Sequence, residues 1–402
     1  MKSLFASSFL AALTCAVLLS EWKPVGAEAP APVGYHLWEN GPPTDPDYFP
    51  IGVWLQDPKN AKRYRALGIN LYIGLWQGPT KDQLNQLKIN KMPVICPQNE
   101  VGLEFRDRST IIGWMHEDEP DNAQSRGNGV GYGPPIPPGE IQQGYVRMRE
   151  ADPTRPIFLN LGQGVAWDEW HGRGVRTNHP EDYPEYLKGC DIASFDIYPV
   201  ASTNEPVQGN LWYVGEGVRR LNEWSQGSKP VWAVIETTNI KGPNRPTPAQ
   251  VRSEVWMALI HGSRGICYFA HSFSPTFNET ALLDDPEMAE GVRAINSTVS
   301  SLAPVLNSPT VGDRIAIESS SDRVPVIGLV KQWRGDLYLF AVSMRGEPTK
   351  ALFTLQGETS GQEVEVLEEG RMLPIEANKF EDSFEGYAVH LYKIPGEAKA
   401  AP

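Results

Sequence analysis

Val231-Trp232-Ala233-Val234-Ile235-Glu236-Thr237-Thr238 is an apolar run of strand length that ends on a carboxylate. A nearly continuous apolar stretch reads as a parallel strand covered on both faces. Gly113-Trp114-Met115-His116-Glu117-Asp118-Glu119-Pro120 repeats the arrangement 117 positions earlier (236 − 119 = 117). Two glutamates at the ends of two buried strands can face one another across a pocket. Two facing carboxylates are the minimum equipment for cleaving a glycosidic bond.

Working outward, apolar runs bounded by turn residues recur along the chain. They are Phe49 to Leu55, Ile69 to Leu75, Met92 to Cys96, Ile111 to His116, Ile157 to Leu161, Ile192 to Tyr198, Val231 to Glu236 and Gly265 to His271. Amphipathic stretches separate them, among them Thr247 to Gly262, where Thr247-Pro248 reads as N-cap and first helical residue, and Asn60 to Gly68, where Gly68 reads as a C-cap. Eight strands alternating with helices over about 250 residues predict a (β/α)8 barrel spanning 48–303. A doubly wound open sheet competes, but Gln56-Asp57-Pro58 follows the first strand where that fold carries a Gly-rich phosphate loop. From 304 to 396 short alternating segments with turn signals predict a small antiparallel β-sandwich.

The first 27 residues read as an export signal: Lys2, an apolar stretch from about Leu4 to Leu19, and Val25-Gly26-Ala27 as cleavage site. A Pro- and Ala-rich arm follows at 28–47, and 397–402 read as a tail. The expected location is secreted or periplasmic. A formal net charge of −13 gives no basic footprint, which argues against nucleic acid or an anionic membrane surface as partner once the signal is removed. Three cysteines remain after the signal, Cys96, Cys190 and Cys267. They lack metal-ligand spacing and read as buried thiols.

In a barrel of this kind reacting groups sit at the C-terminal ends of strands. Glu119 and Glu236 follow the fourth and seventh, which lie across the barrel from one another. Glu119, with Glu117 and Asp118 beside it, is the candidate for a raised pKa and for the general acid/base role; Glu236 is the candidate nucleophile. Alternation puts Glu117 on the same side as Glu119. Tyr198 is a candidate donor to the nucleophile, and His116 and His271 end strands four and eight. Trp54 and Trp76 at strand ends, with Trp167 and Trp170 in a loop, are candidate sugar platforms, because an indole offers a flat apolar face. The long stretches Asp121 to Glu140 and Gly162 to Asp182 emerge on the same face.

Gly113-Trp114-x-x-x-Asp118-Glu119-Pro120 resembles the Gly-Trp-x-x-x-Asn-Glu-Pro signature that ends strand four in the clan A glycoside hydrolases, and Glu236 corresponds to their strand-seven nucleophile. Phe195-Asp196-Ile197-Tyr198-Pro199 is similar to the segment that brings a tyrosine toward that nucleophile. Arg264 to Phe269 resembles their passage into strand eight. The resemblance covers roughly Phe49 to Ser301. It implies a retaining β-glycosidase acting by double displacement on an oligo- or polysaccharide, with no metal or organic cofactor. Two positions differ: Asp118 stands for the family's asparagine at the sugar 2-hydroxyl, and Gly74-Leu75-Trp76-Gln77 lacks the strand-two arginine. A carbohydrate-binding barrel without catalysis, or an inverting or α-specific glycosidase, are the alternative readings.

Overall fold

The computed structural model describes residues 34–105, 107, 109–127, 129–357 and 361–396. The proposed export signal lies outside them. Eight parallel strands close into a barrel in sequence order: β1 (Ile51–Trp54), β2 (Leu71–Ile73), β3 (Val94–Pro97), β4 (Ile111–Met115), β5 (Ile157–Leu161), β6 (Ile192–Asp196), β7 (Val231–Glu236) and β8 (Gly265–Phe269). Helices α1 (Ala61–Ala66), α2 (Lys81–Ile89), α3 (Glu100–Glu104), α4 (Pro138–Ala151), α5 (Tyr183–Leu187), α6 (Trp212–Trp224), α7 (Pro248–Ile260) and α8 (Pro286–Ser301) alternate with them. This is the (β/α)8 architecture expected from the sequence.

Local chemistry sets the boundaries. Thr247 caps α7 through a reciprocal capping box with Gln250, and Pro248 sits in the first turn, where its missing N–H costs nothing. Gly68 takes φ +80° just past α1, the left-handed conformation a helix stop uses. Inside the barrel, Trp54, Ile73, Ile95, Phe158, Ile192, Trp232, Val234 and Cys267 fill the lumen as a packed core. Tyr35 plugs its lower end: the Trp232 indole N–H donates to the Tyr35 hydroxyl at 2.9 Å, and that hydroxyl donates to the Arg264 carbonyl at 3.0 Å. The three cysteines are buried and unpaired.

After the short helix α9 (Ala303–Leu306), eight strands form two antiparallel sheets. They are β9 (Ile315–Ser319), β10 (Val326–Trp333), β11 (Asp336–Ser343), β12 (Thr349–Leu355), β13 (Glu363–Val366), β14 (Arg371–Pro374), β15 (Lys379–Phe384) and β16 (Val389–Ile394). One sheet runs β10-β11-β16-β13-β14, the other β15-β12-β9. Side chains from both, including Leu339, Tyr392, Phe353 and Phe380, share one apolar cluster, so the domain is a small sandwich. Its outer face packs on α7: Trp256 meets Phe340 with ring centroids 5.0 Å apart, and Ser253 and Arg252 donate to the Tyr387 and Val389 carbonyls. Barrel and sandwich therefore share a core through the helix that follows β7.

Candidate active site

The path out of β4 is irregular, and that irregularity places Glu119. Backbone pairing with β5 runs Trp114 N–H to Pro156 O and His116 N–H to Phe158 O, and then Glu119, not Asp118, donates to Asn160 O at 3.2 Å. One extra residue is accommodated between these bonds. Glu119 carries the left-handed backbone, φ 43°, that such a bulge needs. A non-glycine residue in that conformation costs of order 1–3 kcal/mol and is held by its surroundings. The bulge breaks the alternation read from the sequence. Glu117 and His116 turn to a groove of about 580 Å³ lined also by Glu140 and Arg147, while Glu119 turns to the barrel mouth.

There it meets residues from β5, β6 and the loops that follow them. Asn160, at the inner face of β5, donates from Nδ2 to Asp118 Oδ1 at 3.0 Å and to Asp196 Oδ2 at 3.4 Å. The Tyr198 hydroxyl donates to the same Asp196 oxygen at 3.1 Å. The carboxyls of Glu119 and Asp196 lie side by side, so that a proton held by one can be shared with the other. Gly162 closes the site from the β5 side, since a Cβ there would lie 2.9 Å from Glu119 Oε1 and 2.7 Å from Asn122 Nδ2.

Burial dominates the electrostatics, and the acids reinforce one another. Burial pushes Glu119 well above the ordinary glutamate value, and the negative charges of Asp196 and Asp118 push it further. Asp196 is pushed up to about 7 by burial and by Asp118, against the pull of its hydrogen bonds from Glu119 and Tyr198. Asp118 is raised to about 6, mostly by the protein around it, although its side chain reaches solvent. Two carboxyls this close do not both ionise readily, and Glu119, held furthest above its ordinary value, keeps its proton more tightly than Asp196. Asp121, next along the chain, is buried at 0% exposure; it accepts from Gly162 N–H and the Tyr183 hydroxyl and serves the architecture of the loop.

The structure brings Asp118, Glu119 and Tyr198 together. It does not bring Glu236 to them. That carboxylate has 0% exposure and accepts N–H bonds from Val200 at 2.6 Å and Ala201 at 2.7 Å, in the turn after β6. Its ionisable neighbour is Glu254 of α7, equally buried, and the two carboxyls lie side by side. Burial raises Glu236 to about 7 and holds Glu254 well above its usual range. Tyr198 accordingly donates to Asp196 and not to Glu236.

The remaining sequence candidates disperse. His116 Nε2 lies 2.7 Å from the Gly189 carbonyl, outside the mouth, and burial lowers its pKa. His271 is buried with Nε2 3.1 Å from the Leu55 carbonyl, tying β1 to β8. Trp54 belongs to the lumen core. Trp167 and Trp170 pack together with centroids 6.1 Å apart, and the Trp170 indole N–H donates to Asn122 Oδ1 at 2.8 Å, within one residue contact of Gly162 and Glu119. Trp76 is 70% exposed after β2. A cavity of about 570 Å³ opens on the rim between the loops after β7 and β8, lined by Asn239, Arg245, Ser272 and Asp285 among others, and does not include the carboxylate cluster.

Sequence reading missed Asp196 and Asn160. Their signal was present: each is a polar residue on the inward parity of an otherwise apolar strand, with Ile192 and Ser194 preceding Asp196 and Phe158 preceding Asn160.

No protein-family profile matches the sequence, and no curated protein matches it. Solved structures do match. An α-amylase from Geobacillus thermoleovorans, complexed with acarbose, superposes with a TM-score of 0.53 at 11% identity over 88% of this chain and 99% of that one. A glycoside hydrolase family 30 subfamily 8 xylanase from Clostridium acetobutylicum gives 0.45 at 11% identity over 87% and 96%. An Anoxybacillus α-amylase gives 0.43 at 10% identity over 89% and 100%. At such identity the first likeness is one of fold: a (β/α)8 barrel followed by a β-domain.

Proposed function

We propose that this chain is a glycoside hydrolase whose proton donor is Glu119. The observation that carries the reading is the Glu119–Asp196 pair. It puts a carboxyl that holds its proton tightly, partly open to solvent, directly beside one that releases its proton more readily, at the C-terminal mouth of the barrel. Glycosidic cleavage needs that inequality, an acid for the leaving oxygen and a carboxylate for the positive charge that develops on the sugar. Glu119 protonates the glycosidic oxygen. Asp196, with Tyr198 and Asn160 fixing one oxygen, faces the anomeric carbon. Asp118, exposed beside them, accepts from a sugar hydroxyl. Carboxyls in contact match neither the roughly 5–5.5 Å of retaining enzymes nor the roughly 6.5–9.5 Å of inverting ones, so the stereochemical course is read from the anomer of the first-formed product.

A second reading keeps Glu236 as nucleophile. Two backbone N–H groups already hold its carboxylate in place, and the reading requires the 199–201 turn to lift away from it. Export through residues 1–27 is part of the proposal and rests on the sequence pattern.

The test is turnover of a panel of aryl glycosides and α- and β-linked oligosaccharides by the wild type, Glu119→Gln, Asp196→Asn and Glu236→Gln. Loss on both Glu119→Gln and Asp196→Asn, with Glu236→Gln retaining activity, is expected. Loss on Glu236→Gln with Asp196→Asn active selects the second reading. Turnover indifferent to Glu119→Gln overturns both.

A further inference from the structure

The mouth has an aromatic wall that the proposed chemistry does not use. It begins at Tyr198, whose ring lies 5.2 Å from Phe269 at the end of β8. Phe269 is 6.4 Å from Phe273, and Phe273 is 5.4 Å from Phe277, tilted by 39°. Exposure rises along this line, and Phe273 and Phe277 stand 44% and 62% open to solvent.

Two exposed phenylalanines on a loop would ordinarily be mobile and unremarkable. Here they are pinned. Ser272 and Asn278 pair as an antiparallel bridge, with each backbone N–H donating to the other's carbonyl. Phe273 N–H donates to the Ile240 carbonyl, and the Ser272 hydroxyl donates to Asn239 Oδ1 at 2.7 Å. His271 backs the pair, 6.2 Å from Phe273 and 5.8 Å from Phe277, and burial keeps its ring neutral by lowering its pKa. Of the charged groups around the hairpin, Arg245 pairs with Asp285, Arg63 pairs with Asp284, and the Lys241 ammonium lies 5.8 Å from the Phe273 ring, leaving Phe277 the more open platform.

We propose that Phe273 and Phe277 form an extension subsite for sugar units beyond the cleaved bond, so that the substrate is a neutral oligosaccharide or polysaccharide chain and not a simple monoglycoside. The proposal rests on the reading of the carboxylate cluster as a glycosidase centre. Three facts carry it: the rings continue from the cluster in steps of about one sugar ring, they are pinned by the hairpin's hydrogen bonds, and the acids that follow Phe277 are engaged, Glu279 by the Asp57 N–H and Asp284 and Asp285 by arginines. Flat apolar rings fixed in this way suit the apolar faces of pyranoses, which lose little water-directed bonding when stacked.

Titration of Glu119→Gln protein with gluco-, xylo- and galacto-oligosaccharides of increasing length, followed calorimetrically, tests it without requiring turnover. One series is expected to bind more tightly as units are added. Adding Phe273→Ala and Phe277→Ala should weaken the longer members about tenfold and leave the monosaccharide unchanged, the effect of roughly 1.4 kcal/mol. Equal affinity for long chains with and without the two rings, no binding by any series, or a change in self-association in place of sugar affinity overturns the subsite. Hydrolysis can fail while this binding stands, and the reverse, so the two claims fall separately.

Discussion

The Glu119 carboxyl lies beside that of Asp196 although one follows β4, the other ends β6, and they are 77 positions apart (196 − 119 = 77). The contact exists because β4 takes an extra residue before pairing again with β5, which rotates Glu119 into the mouth where β6 ends. Two carboxyls in contact cannot both ionise cheaply, so one keeps its proton near neutrality.

This coupling has a pH signature. The proposed mechanism needs Asp196 ionised and Glu119 protonated, so it predicts a bell-shaped profile with its acid limb near pH 7, where Asp196 titrates. Asp196→Asn removes the charge that raises Glu119. Any residual activity should then lose its alkaline limb at lower pH than the wild type. An unmoved alkaline limb in the kcat/KM profile would show that Asp196 does not set the Glu119 proton.

Gly162 guards the same group sterically. A Cβ there, 2.9 Å from Glu119 Oε1, must push the acid aside. Gly162→Ala is expected to lower kcat by about tenfold to a hundredfold, as small displacements of reacting groups do. Its thermal midpoint is measured alongside to separate this loss from unfolding, because Gly162 is buried and the same Cβ would lie 2.7 Å from Asn122 Nδ2. Wild-type kcat in this variant contradicts the placement.

Tyr198→Phe deletes one hydrogen bond to Asp196 Oδ2. That bond favours the ionised form, so its loss raises the Asp196 pKa and moves the acid limb upward. The neighbouring stack on Phe269 survives in phenylalanine, which keeps the readout electrostatic. An acid limb that stays in place assigns the tyrosine to packing alone.

Glu236 and Glu254 give the barrel a second coupled pair, remote from solvent. Both values are raised in the folded protein, so the folded state holds more protons than the unfolded one above about pH 4.5. Their contribution to stability is therefore fully present below the unfolded value and is lost as pH rises through about 7, where Glu236 titrates. Glu254→Gln gives Glu236 an amide donor and removes a buried acid, and should flatten the fall in denaturation midpoint between pH 5 and pH 8. A slope equal to wild type excludes the pair as its source.

Much of this was legible in the sequence, and the failures have causes. Apolar runs bounded by turn residues located all eight barrel strands, and Thr247-Pro248 and Gly68 marked helix ends, because each signal is local. Glu119 was legible from its position after the fourth strand. Its separation from Glu117 was not, since alternation assumes a regular strand and the positive φ of Glu119 breaks it. Glu236 closes the seventh strand, which pointed it toward the mouth. Its destination is decided by Val200 and Ala201, whose N–H groups come from a turn that no pattern around residue 236 describes.

Proton donation by Glu119 is the central claim, and its most direct test is the dependence of kcat/KM on leaving-group acidity in a series of aryl glycosides, compared between wild type and Glu119→Gln. Loss of a general acid costs about 10²–10⁴-fold when the leaving group needs a proton. The variant should fall by that amount on poor leaving groups and approach wild type on the most acidic ones. A loss of equal size across the whole series, or no loss at all, would contradict the account.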